Sequence, residues 1–394
     1  MNEDTQVQKL ENYLENKKIA LCITGGIAVI ETPKIARHLR RYGADVTIYA
    51  TSSALEFISK SALEWGSGNK VITELSGLAE HICSEDLIII APATINTINK
   101  IFSGIADNPV TTLVASALGK NIPIIIAPTM HMSLYNNPFL KDNLNSDLYL
   151  KYKIKIIKPR FEEGKAKIPK VDIIIAEASR ELSNNSIKDK KILITGGSTP
   201  GKIDDVRFIT NKFKGTLAVE IAKEAYHKGA FVKLLINKTG IEIPPYLDVA
   251  YHKDYDEYYQ NVIKYSNPNI TDAAILTAAV ADYLPEYTPG KIPSGKLINI
   301  SLKQTKKVIE EIRTKYPSLF MITFKHEANL TKEALLEIAQ KRIKQGYQII
   351  VANRDEDINE KHKAYIVGKN GVISEPESKK EIAKDIIKII SESL

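Results

Sequence analysis

Residues 190–197, KKILITGG, closely echo the earlier stretch KKIALCITGG at residues 17–26. In both, an aliphatic run ends at paired glycines, which predicts a buried strand followed by a tight turn into a helix. Further Ile- and Val-rich runs follow, spaced so that a helix fits between them: residues 45–51, 86–93 and 121–128, then 231–236, 272–280, 320–324 and 347–353. Near-continuous apolar strands alternating with helices are typical of a parallel sheet covered on both faces. We therefore predict an α/β protein of two domains, each a parallel-sheet, Rossmann-like three-layer α/β/α fold.

The boundary between the domains is predicted from composition. The segment ASRELSNNSIKDK at 178–190 is polar and rich in turn residues, and the chain begins a new strand directly after it. We place the first domain at 1–183 and the second at 184–394. Thr32 is expected to cap the first helix, Gly229 to close a helix near 215–228, and a helix over 378–393 to complete the second domain.

Charge and composition exclude several classes of protein. The 54 Lys and Arg outnumber the 47 Asp and Glu by seven, but basic and acidic residues are interleaved, and the basic stretch 151–160 alternates Lys with Ile like a strand with one solvated face. We expect no nucleic acid partner. The apolar runs are too short to span a bilayer, so no membrane association is expected. Two cysteines and a polar N-terminus predict a reduced, cytoplasmic protein.

The loops after the predicted strands carry the candidate site residues, because open α/β sheets bind ligands at the carboxyl ends of their strands. Neither a GxGxxG nor a GxxxxGK[ST] pattern follows the first strand, so an ordinary dinucleotide site or phosphate-binding loop is not supported. The first half instead combines APATINTINK at 91–100, GIADN at 104–108 and APTMHMSLYNNP at 127–138 with Glu80-His81 before the third strand. In this combination it resembles the flavin-dependent cysteine decarboxylases.

That resemblance implies a flavodoxin-like domain that binds FMN and uses a histidine as acid and base. His81 would act at the substrate's cysteinyl thiol, since an imidazole titrates near neutral pH. Oxidation of the thiol would ease loss of the adjacent carboxylate, and the electrons would then be returned. The residues implied at the flavin are Gly25, Gly26, Ile27, Ser52, Ala93, Thr94 and Asn96. Those implied at the substrate are Asn108, Met130 and His131.

The second half carries TGGSTPGKIDDVRFITN at 195–211 and AAVADY at 278–283, followed by Lys291. It resembles phosphopantothenate–cysteine ligases, so the whole chain resembles the bifunctional family that joins this ligase to a decarboxylase in coenzyme A biosynthesis. The resemblance implies that CTP and Mg²⁺ activate 4′-phosphopantothenate as an acyl-cytidylate, which cysteine attacks; decarboxylation then gives 4′-phosphopantetheine. Asn211 and Lys291 would be catalytic. Ala279, Asp282, Lys291, Phe324 and Lys341 would bind the substrates, and metal ligands are not identified.

Two departures from the family's pattern concern the decarboxylase half. His131 stands where the family has an asparagine that contacts the substrate carboxylate; histidine can still donate a hydrogen bond. The loop at 160–169 lacks the cysteine with which bacterial members reprotonate the enethiolate intermediate, which leaves Lys165, Lys167, water or Cys83 as alternatives. Both departures are typical of the family's archaeal branch.

The ligase half departs further. The family's glycine loop is degraded to Lys212–Leu217 and a later phosphate element to Lys303–Lys306, so a decarboxylase with an inactive ligase half is the alternative function. A non-enzymatic flavoprotein-like binding module is a third hypothesis, disfavoured by the retention of His81. His326, Glu327 and His227 have no evident partners, and no spacing indicates a zinc site. The resemblance implies a homo-oligomer with trimeric decarboxylase cores and dimeric ligase domains.

Overall fold

The computed structural model describes residues 5–147, 151–238, 240–295, 297–357 and 362–394. The chain forms two compact units, Met1–Ser183 (unit 1) and Asn184–Leu394 (unit 2). Each of the four hydrophobic clusters contains residues of one unit only, so each unit has its own core. No helix in the described ranges is both long and apolar enough to cross a membrane.

Unit 1 is built on a five-stranded sheet in which neighbouring strands are parallel. Its strands are β1 Lys18–Ile23, β2 Asp45–Ala50, β3 Leu87–Ala93, β4 Ile124–Pro128 and β6 Ile154–Ile156. Along β1, Ile19, Leu21 and Ile23 enter one core layer, and Ala20 and Cys22 enter the other, because successive side chains of a strand face opposite sides. The predicted parallel α/β architecture is confirmed.

Helices cover both faces of this sheet. They are α1 Thr32–Arg41, α2 Ser52–Leu55, α3 Lys60–Ser67, α4 Ile95–Phe102, α5 Pro109–Gly119, α6 Met132–Tyr135, α7 Pro138–Leu144 and α8 Val171–Leu182. A 3₁₀ turn over Ile27–Glu31 precedes α1, so Thr32 is the first helical residue and does not cap the helix as expected. The helix α8 continues to Leu182, so the first residues of the predicted linker are helical.

The strand order β2-β1-β3-β4-β6 positions the site of unit 1. The strand β2 lies on one side of β1, and the next strand in the chain, β3, lies on the other side. The loops that follow β1 and β3 therefore diverge and leave a crevice between them. Sheets of this order bind their ligands in that crevice.

A small antiparallel sheet begins just after the carboxyl end of β4. Its strands are β5 Met130–His131, β7 Arg160–Glu162 and β8 Lys165–Lys167, in the order β5-β8-β7. The stretch 151–160, which predicts one solvated strand, contains only the three residues of β6 before the chain enters this hairpin.

Unit 2 is built on an eight-stranded sheet of order β13-β12-β9-β14-β17-β18-β19-β20, in which only β19 runs antiparallel to its neighbours, β18 and β20. The strands are β9 Lys191–Gly196, β12 Phe231–Asn237, β13 Asp248–His252, β14 Ala273–Leu276, β17 Phe320–Glu327, β18 Ile349–Arg354, β19 Tyr365–Gly368 and β20 Gly371–Ser374. Two small hairpins pair β10 Gly201–Lys202 with β11 Phe208–Ile209, and β15 Tyr283–Pro285 with β16 Leu302–Gln304.

The helices of unit 2 are α9 Thr216–His227, α10 Tyr255–Tyr265, α11 Val308–Lys315, α12 Lys332–Lys344 and α13 Lys379–Ser393. Ser378 immediately precedes α13 and caps it, because its side chain accepts a hydrogen bond from the N–H of Glu381. The six parallel strands follow the order 3-2-1-4-5-6 when counted along the chain, so the crevice lies between β9 and β14. The strand β14 ends at Leu276, four residues earlier than predicted, because residues 277–280 leave the sheet at this crevice.

Candidate functional site

The crevice of unit 1 is formed by the loops after β1, β2 and β3. Thr24 Oγ1 donates to the Pro92 carbonyl at 2.9 Å and accepts from Thr94 N–H at 3.0 Å, which fixes the first loop against the third. A Cβ at Gly25 would lie 2.5 Å from Ser53 Oγ, so only glycine allows the first loop to approach the second. A Cβ at Gly26 would meet only Thr94, at 4.0 Å, so this glycine leaves its backbone open.

This crevice suits an uncharged or anionic ligand. No charged side chain occurs in residues 24–28, 51–54 or 93–96. The helix α4 begins at its floor, and the side chain of its capping residue Thr94 makes no capping hydrogen bond, so the first amides of α4 stay available. Backbone N–H groups at a helix start favour phosphate. All seven residues predicted at the flavin lie between the end of one of these strands and the first turn of the helix that follows it: Gly25, Gly26, Ile27, Ser52, Ala93, Thr94 and Asn96.

His81 lies elsewhere on unit 1. Its side chain is exposed, and among the described residues the imidazole makes no hydrogen bond. The hydrogen bonds around it join its segment to β2 and α5: Tyr49 Oη donates to the Glu80 carbonyl at 3.5 Å, and Cys83 N–H donates to Ser116 Oγ at 3.0 Å. They do not join His81 to the crevice of its own chain.

Cys83 is part of the core. Its side chain is 1% exposed and donates to Glu85 Oε2 at 3.4 Å, and burial raises the pKa of the thiol to about 11. A buried, protonated thiol in the layer beneath α5 packs with its neighbours. The structure therefore does not favour Cys83 as the missing proton donor.

His131 is placed at the crevice by β5. Thr129 N–H donates to the carbonyl of Ala93 at 2.9 Å, which holds the loop after β4 against the end of β3. The ring Nδ1 of His131 accepts from Ser133 N–H at 3.4 Å and caps α6, so the neutral ring carries its proton on Nε2. An asparagine would cap the helix equally well and leave an amide N–H free.

Asn108 has a structural role. Its Oδ1 accepts from Val110 N–H and Thr111 N–H, both at 3.1 Å, and completes a capping box at the start of α5. Its Nδ2 donates to Asp107 Oδ1 at 2.8 Å. Both ends of this side chain are therefore engaged, and its contact with substrate stays a prediction.

The crevice of unit 2 is closed by hydrogen bonds between the ends of β9, β12 and β14. Ala279 N–H donates to the carbonyl of Gly197 at 2.8 Å, and Asn237 Oδ1 accepts from Ser198 N–H at 3.2 Å. A Cβ at Gly197 would lie 2.0 Å from that Asn237 oxygen. The glycine turn is thus required for the close packing of these strand ends.

Asn211 connects two walls of this crevice. Its Nδ2 donates to the carbonyl of Ala279 at 2.7 Å, and its Oδ1 accepts from Phe213 N–H at 3.2 Å. The predicted catalytic asparagine therefore lies at the point where the strand order reverses.

A cavity of about 340 Å³ extends from this point and is strongly basic. Of the residues predicted to bind nucleotide, Ala279, Asp282 and Phe324 line it. The basic side chains in its wall are Lys214, Lys306, Lys307, Lys325, Arg342 and Lys379. Gly215, with φ +87°, begins α9 at one side, and α11 begins at Val308 on another. Two helix starts and a set of cations favour a polyanionic ligand.

Two predicted lysines are not in this wall. Lys291 belongs to a segment fixed by Asp204, whose Oδ2 accepts from Ile292 N–H at 3.2 Å. Lys341 is exposed on α12, and its neighbour Arg342 enters the cavity in its place. Asp282 is in the wall but is paired with Lys307, 2.6 Å away.

Sequence reasoning missed the histidines of the cavity. His326 Nε2 lies 3.3 Å from Asp355 Oδ1, and its ring meets the edge of Phe213, so the prediction that it lacks partners is wrong. Burial, followed by the charges of Lys379 and His326, lowers the pKa of His362 and favours its neutral form. The position of His326 near the carboxyl end of β17 is the signal that would have identified it.

A second groove of about 710 Å³ lies beside the β10–β11 hairpin. Its charges compensate one another: Asp204 accepts from Val206 N–H and Arg207 N–H, and Lys202 pairs with Asp254 at 2.8 Å. Across the described ranges, no group of three His, Cys, Asp or Glu is arranged to hold a metal ion.

Comparison with known proteins gives the family. The flavoprotein family model matches residues 7–183, and the model of the DNA/pantothenate metabolism flavoprotein C-terminal domain matches residues 187–394. The coenzyme A biosynthesis bifunctional protein CoaBC of Methanocaldococcus jannaschii is 37% identical over 385 residues, 95% of this chain and 93% of that protein. Its counterpart from Thermococcus kodakarensis is 35% identical over 384 residues, 94% of each chain. A crystal structure of a CoaBC C-terminal domain, 31% identical, covers 53% of this chain and 98% of that one with a TM-score of 0.45.

The two units thus define a flavoprotein domain joined to a pantothenate-metabolism domain. The chain belongs to the family of coenzyme A biosynthesis bifunctional proteins CoaBC. It is an enzyme with a decarboxylase step and a ligase step in that pathway, as its motifs predict.

Proposed function

We propose that unit 2 joins cysteine to 4′-phosphopantothenate with consumption of CTP. Unit 1 then decarboxylates the resulting 4′-phosphopantothenoylcysteine to 4′-phosphopantetheine with FMN. The observation that supports this most is that both crevices lie at a reversal of strand order and are built from the predicted motifs. The buried free cysteines Cys22 and Cys83 support action in the cytoplasm.

FMN fits the crevice of unit 1. The loop amides and the start of α4 would hold its phosphate, and the space beside Gly26 would admit the ring system. Bound there, FMN supplies reversible two-electron oxidation. The protein's own contribution is to hold the substrate at this edge and to exchange the thiol proton with His81.

Replacing Gly25 with valine is expected to abolish flavin binding. The new side chain would occupy the position of Ser53 and separate the loops after β1 and β2. We expect colourless protein with loss of decarboxylation, while ligation continues in unit 2. Flavin absorbance of the purified protein measures the effect, and Gly119→Ala, where nothing lies within 4 Å, is the control. A yellow Gly25→Val protein would show that flavin binds elsewhere.

The cavity of unit 2 is proposed to bind CTP with Mg²⁺. The triphosphate would lie among the cations of the cavity wall and the starts of α9 and α11, with Phe324 near the base. The metal would be held chiefly by the phosphates, as is usual for Mg²⁺ with nucleotides. An ionised carboxylate does not react with an amine, and the cytidylate gives it a leaving group. Arg342, which lines the cavity, is a proposed contact of the triphosphate. Lys291 and Lys341 do not line it, and their roles stay predictions from the resemblance.

The decarboxylase site is proposed to be completed by a second copy of the chain. His81 is exposed and flanked by exposed Leu78 and Ile82, while Ile27 at the crevice is 68% exposed. Apolar side chains beside a catalytic histidine favour an interface between subunits. A trimer would bring His81 of one copy to the crevice of the next, and the ligase units would pair as dimers.

A coupled assay tests the function. Purified protein supplied with 4′-phosphopantothenate, cysteine, CTP and Mg²⁺ is expected to form 4′-phosphopantetheine, detected by mass spectrometry. The alternative of an inactive ligase half predicts no product from these substrates but normal turnover of 4′-phosphopantothenoylcysteine. The retained Gly215, whose Cβ would lie 2.7 Å from Gly197 N, supports a working ligase despite the altered loop.

A further inference from the structure

The small sheet of β5, β7 and β8 has two unlike faces. Register places His131 opposite Lys165, and Lys165 opposite Glu162, so the three side chains form one row on the same face. Directly opposite residues have Cβ atoms about 4.5–5.5 Å apart. The row on the other face consists of Met130, Ala166 and Phe161. Ala166, at the centre of the apolar row, is 1% exposed, and Phe161 at its end is 47% exposed, with its ring against Tyr135. His131 and Lys165 of the polar row are exposed, so this row faces outward.

The turn of the hairpin fixes Lys165 relative to His131. Glu163 and Gly164 both have positive φ, 52° and 69°, which is the geometry of a tight two-residue turn. The carbonyl of Gly164 accepts from Met132 N–H at 3.0 Å, so the turn is tied to the segment that follows His131. The position of the Lys165 backbone at the crevice is therefore determined by hydrogen bonds on both sides.

Lys165 differs from the other basic residues of this face. Lys167 pairs with Glu163 at 2.7 Å and Glu162 at 3.3 Å, and Arg160 pairs with Glu162 at 3.0 Å. The Glu163 carboxylate raises the pKa of Lys167. Among the residues that the structure describes, Lys165 makes no hydrogen bond or ion pair. Its ammonium therefore stays available on the face of the sheet that also carries His131.

We propose that Lys165 is a specificity-determining residue that binds, together with His131, the carboxylate removed in the decarboxylation. The proposal rests on the proposed function of unit 1. The Lys165 ammonium and an imidazole N–H of His131 offer two donors to the two oxygens of a carboxylate, and the bond from the ammonium is charge-assisted. When carbon dioxide leaves, the ammonium loses its partner. Substrate therefore binds better than product, and the product is released.

The test compares Lys165→Gln with Lys158→Gln in the full-length, flavin-loaded protein. For Lys165→Gln we expect KM for 4′-phosphopantothenoylcysteine to rise about tenfold or more, as for loss of a hydrogen bond to a charged group, with little change in kcat. Inhibition by 4′-phosphopantetheine, which lacks the carboxylate, should be unchanged. Lys158→Gln, at an exposed lysine that precedes the hairpin and leaves Lys165 and its neighbours in place, should match the wild type in both measurements.

Two results would overturn the proposal. If Lys165→Gln weakens the binding of substrate and of 4′-phosphopantetheine equally, the lysine interacts with the phosphate or another group that both compounds share, and not with the carboxylate. The second result is unchanged substrate affinity together with a product two hydrogens lighter than 4′-phosphopantetheine. This product would be the unreduced enethiol, and Lys165 would then be the proton donor instead. A wild-type protein that fails to decarboxylate the substrate contradicts the proposed function itself, and is recognised before either variant is compared.

Discussion

Replacing His81 with asparagine is expected to lower the rate of decarboxylation by about 10²–10⁴-fold, the usual contribution of a positioned acid or base. Asparagine keeps a polar side chain of similar size but cannot accept and return the thiol proton. Folding should be unaffected because the imidazole is exposed and makes no hydrogen bond among the described residues. Conversion of 4′-phosphopantothenoylcysteine, followed by mass spectrometry, measures the effect.

The controls for His81 separate chemistry from assembly. His38→Asn changes a histidine of unit 1 whose Nδ1 contacts the Lys34 carbonyl at 2.9 Å, away from the crevice, and should retain full activity. Flavin content and ligase rate should stay normal in both variants. Near-normal decarboxylation by His81→Asn would remove this histidine from the mechanism. If the site lies between subunits, co-assembly of His81→Asn with Gly25→Val protein should restore activity, because the crevice of the first variant and His81 of the second then form an intact site.

Replacing Asn211 with aspartate is expected to lower overall ligation by about 10²-fold or more, as for loss of a preorganised donor at a reacting acyl group. In the natural protein, Nδ2 of Asn211 donates to the Ala279 carbonyl at 2.7 Å. Aspartate would put a carboxylate oxygen, which cannot donate, against that carbonyl. We expect CTP to be consumed and the acyl-cytidylate to accumulate, since the cations of the cavity are unchanged. Mass spectrometry of the quenched reaction detects this intermediate.

The matched control is Asn269→Asp, which introduces the same negative charge at an exposed position of unit 2. This variant should behave as the wild type. If Asn211→Asp also stops CTP consumption, this asparagine serves to hold the Ala279 wall. Wild-type ligation by the variant would contradict any role for it.

The fold could be predicted from sequence because it depends on local patterns. Apolar runs such as Leu87–Ala93 are buried on both faces of a sheet, and each ends at a turn, so their order and type follow directly. The missed strand β13, Asp248–His252, has only one fully buried residue and no such run. The early end of β14 could not be read from TAAV at 277–280, which is as apolar as the strand before it.

The site was less predictable, for two physical reasons. A lysine in a binding cavity looks the same in sequence as a solvated one, and neighbouring helical residues point about 100° apart, so only packing decides between Lys341 and Arg342. The His131–Lys165 pair joins segments more than thirty residues apart through strand register, which no local pattern encodes. By contrast, Gly25 and Asn211 lie within motifs, and the structure has them on the loops that follow β1 and β11, while their roles stay predictions.

Separate cores have a consequence for how such a chain can evolve. Two of the four hydrophobic clusters contain only residues up to Ser183, and the other two contain only residues after it. The core of each unit is therefore formed by that unit's own side chains. A gene split at this position would yield two products that each retain a full complement of packing residues, and a later fusion would require only a short joining segment. Mutations that destabilise one enzyme therefore leave the other intact, and natural selection can tune the two steps of the pathway independently within one reading frame.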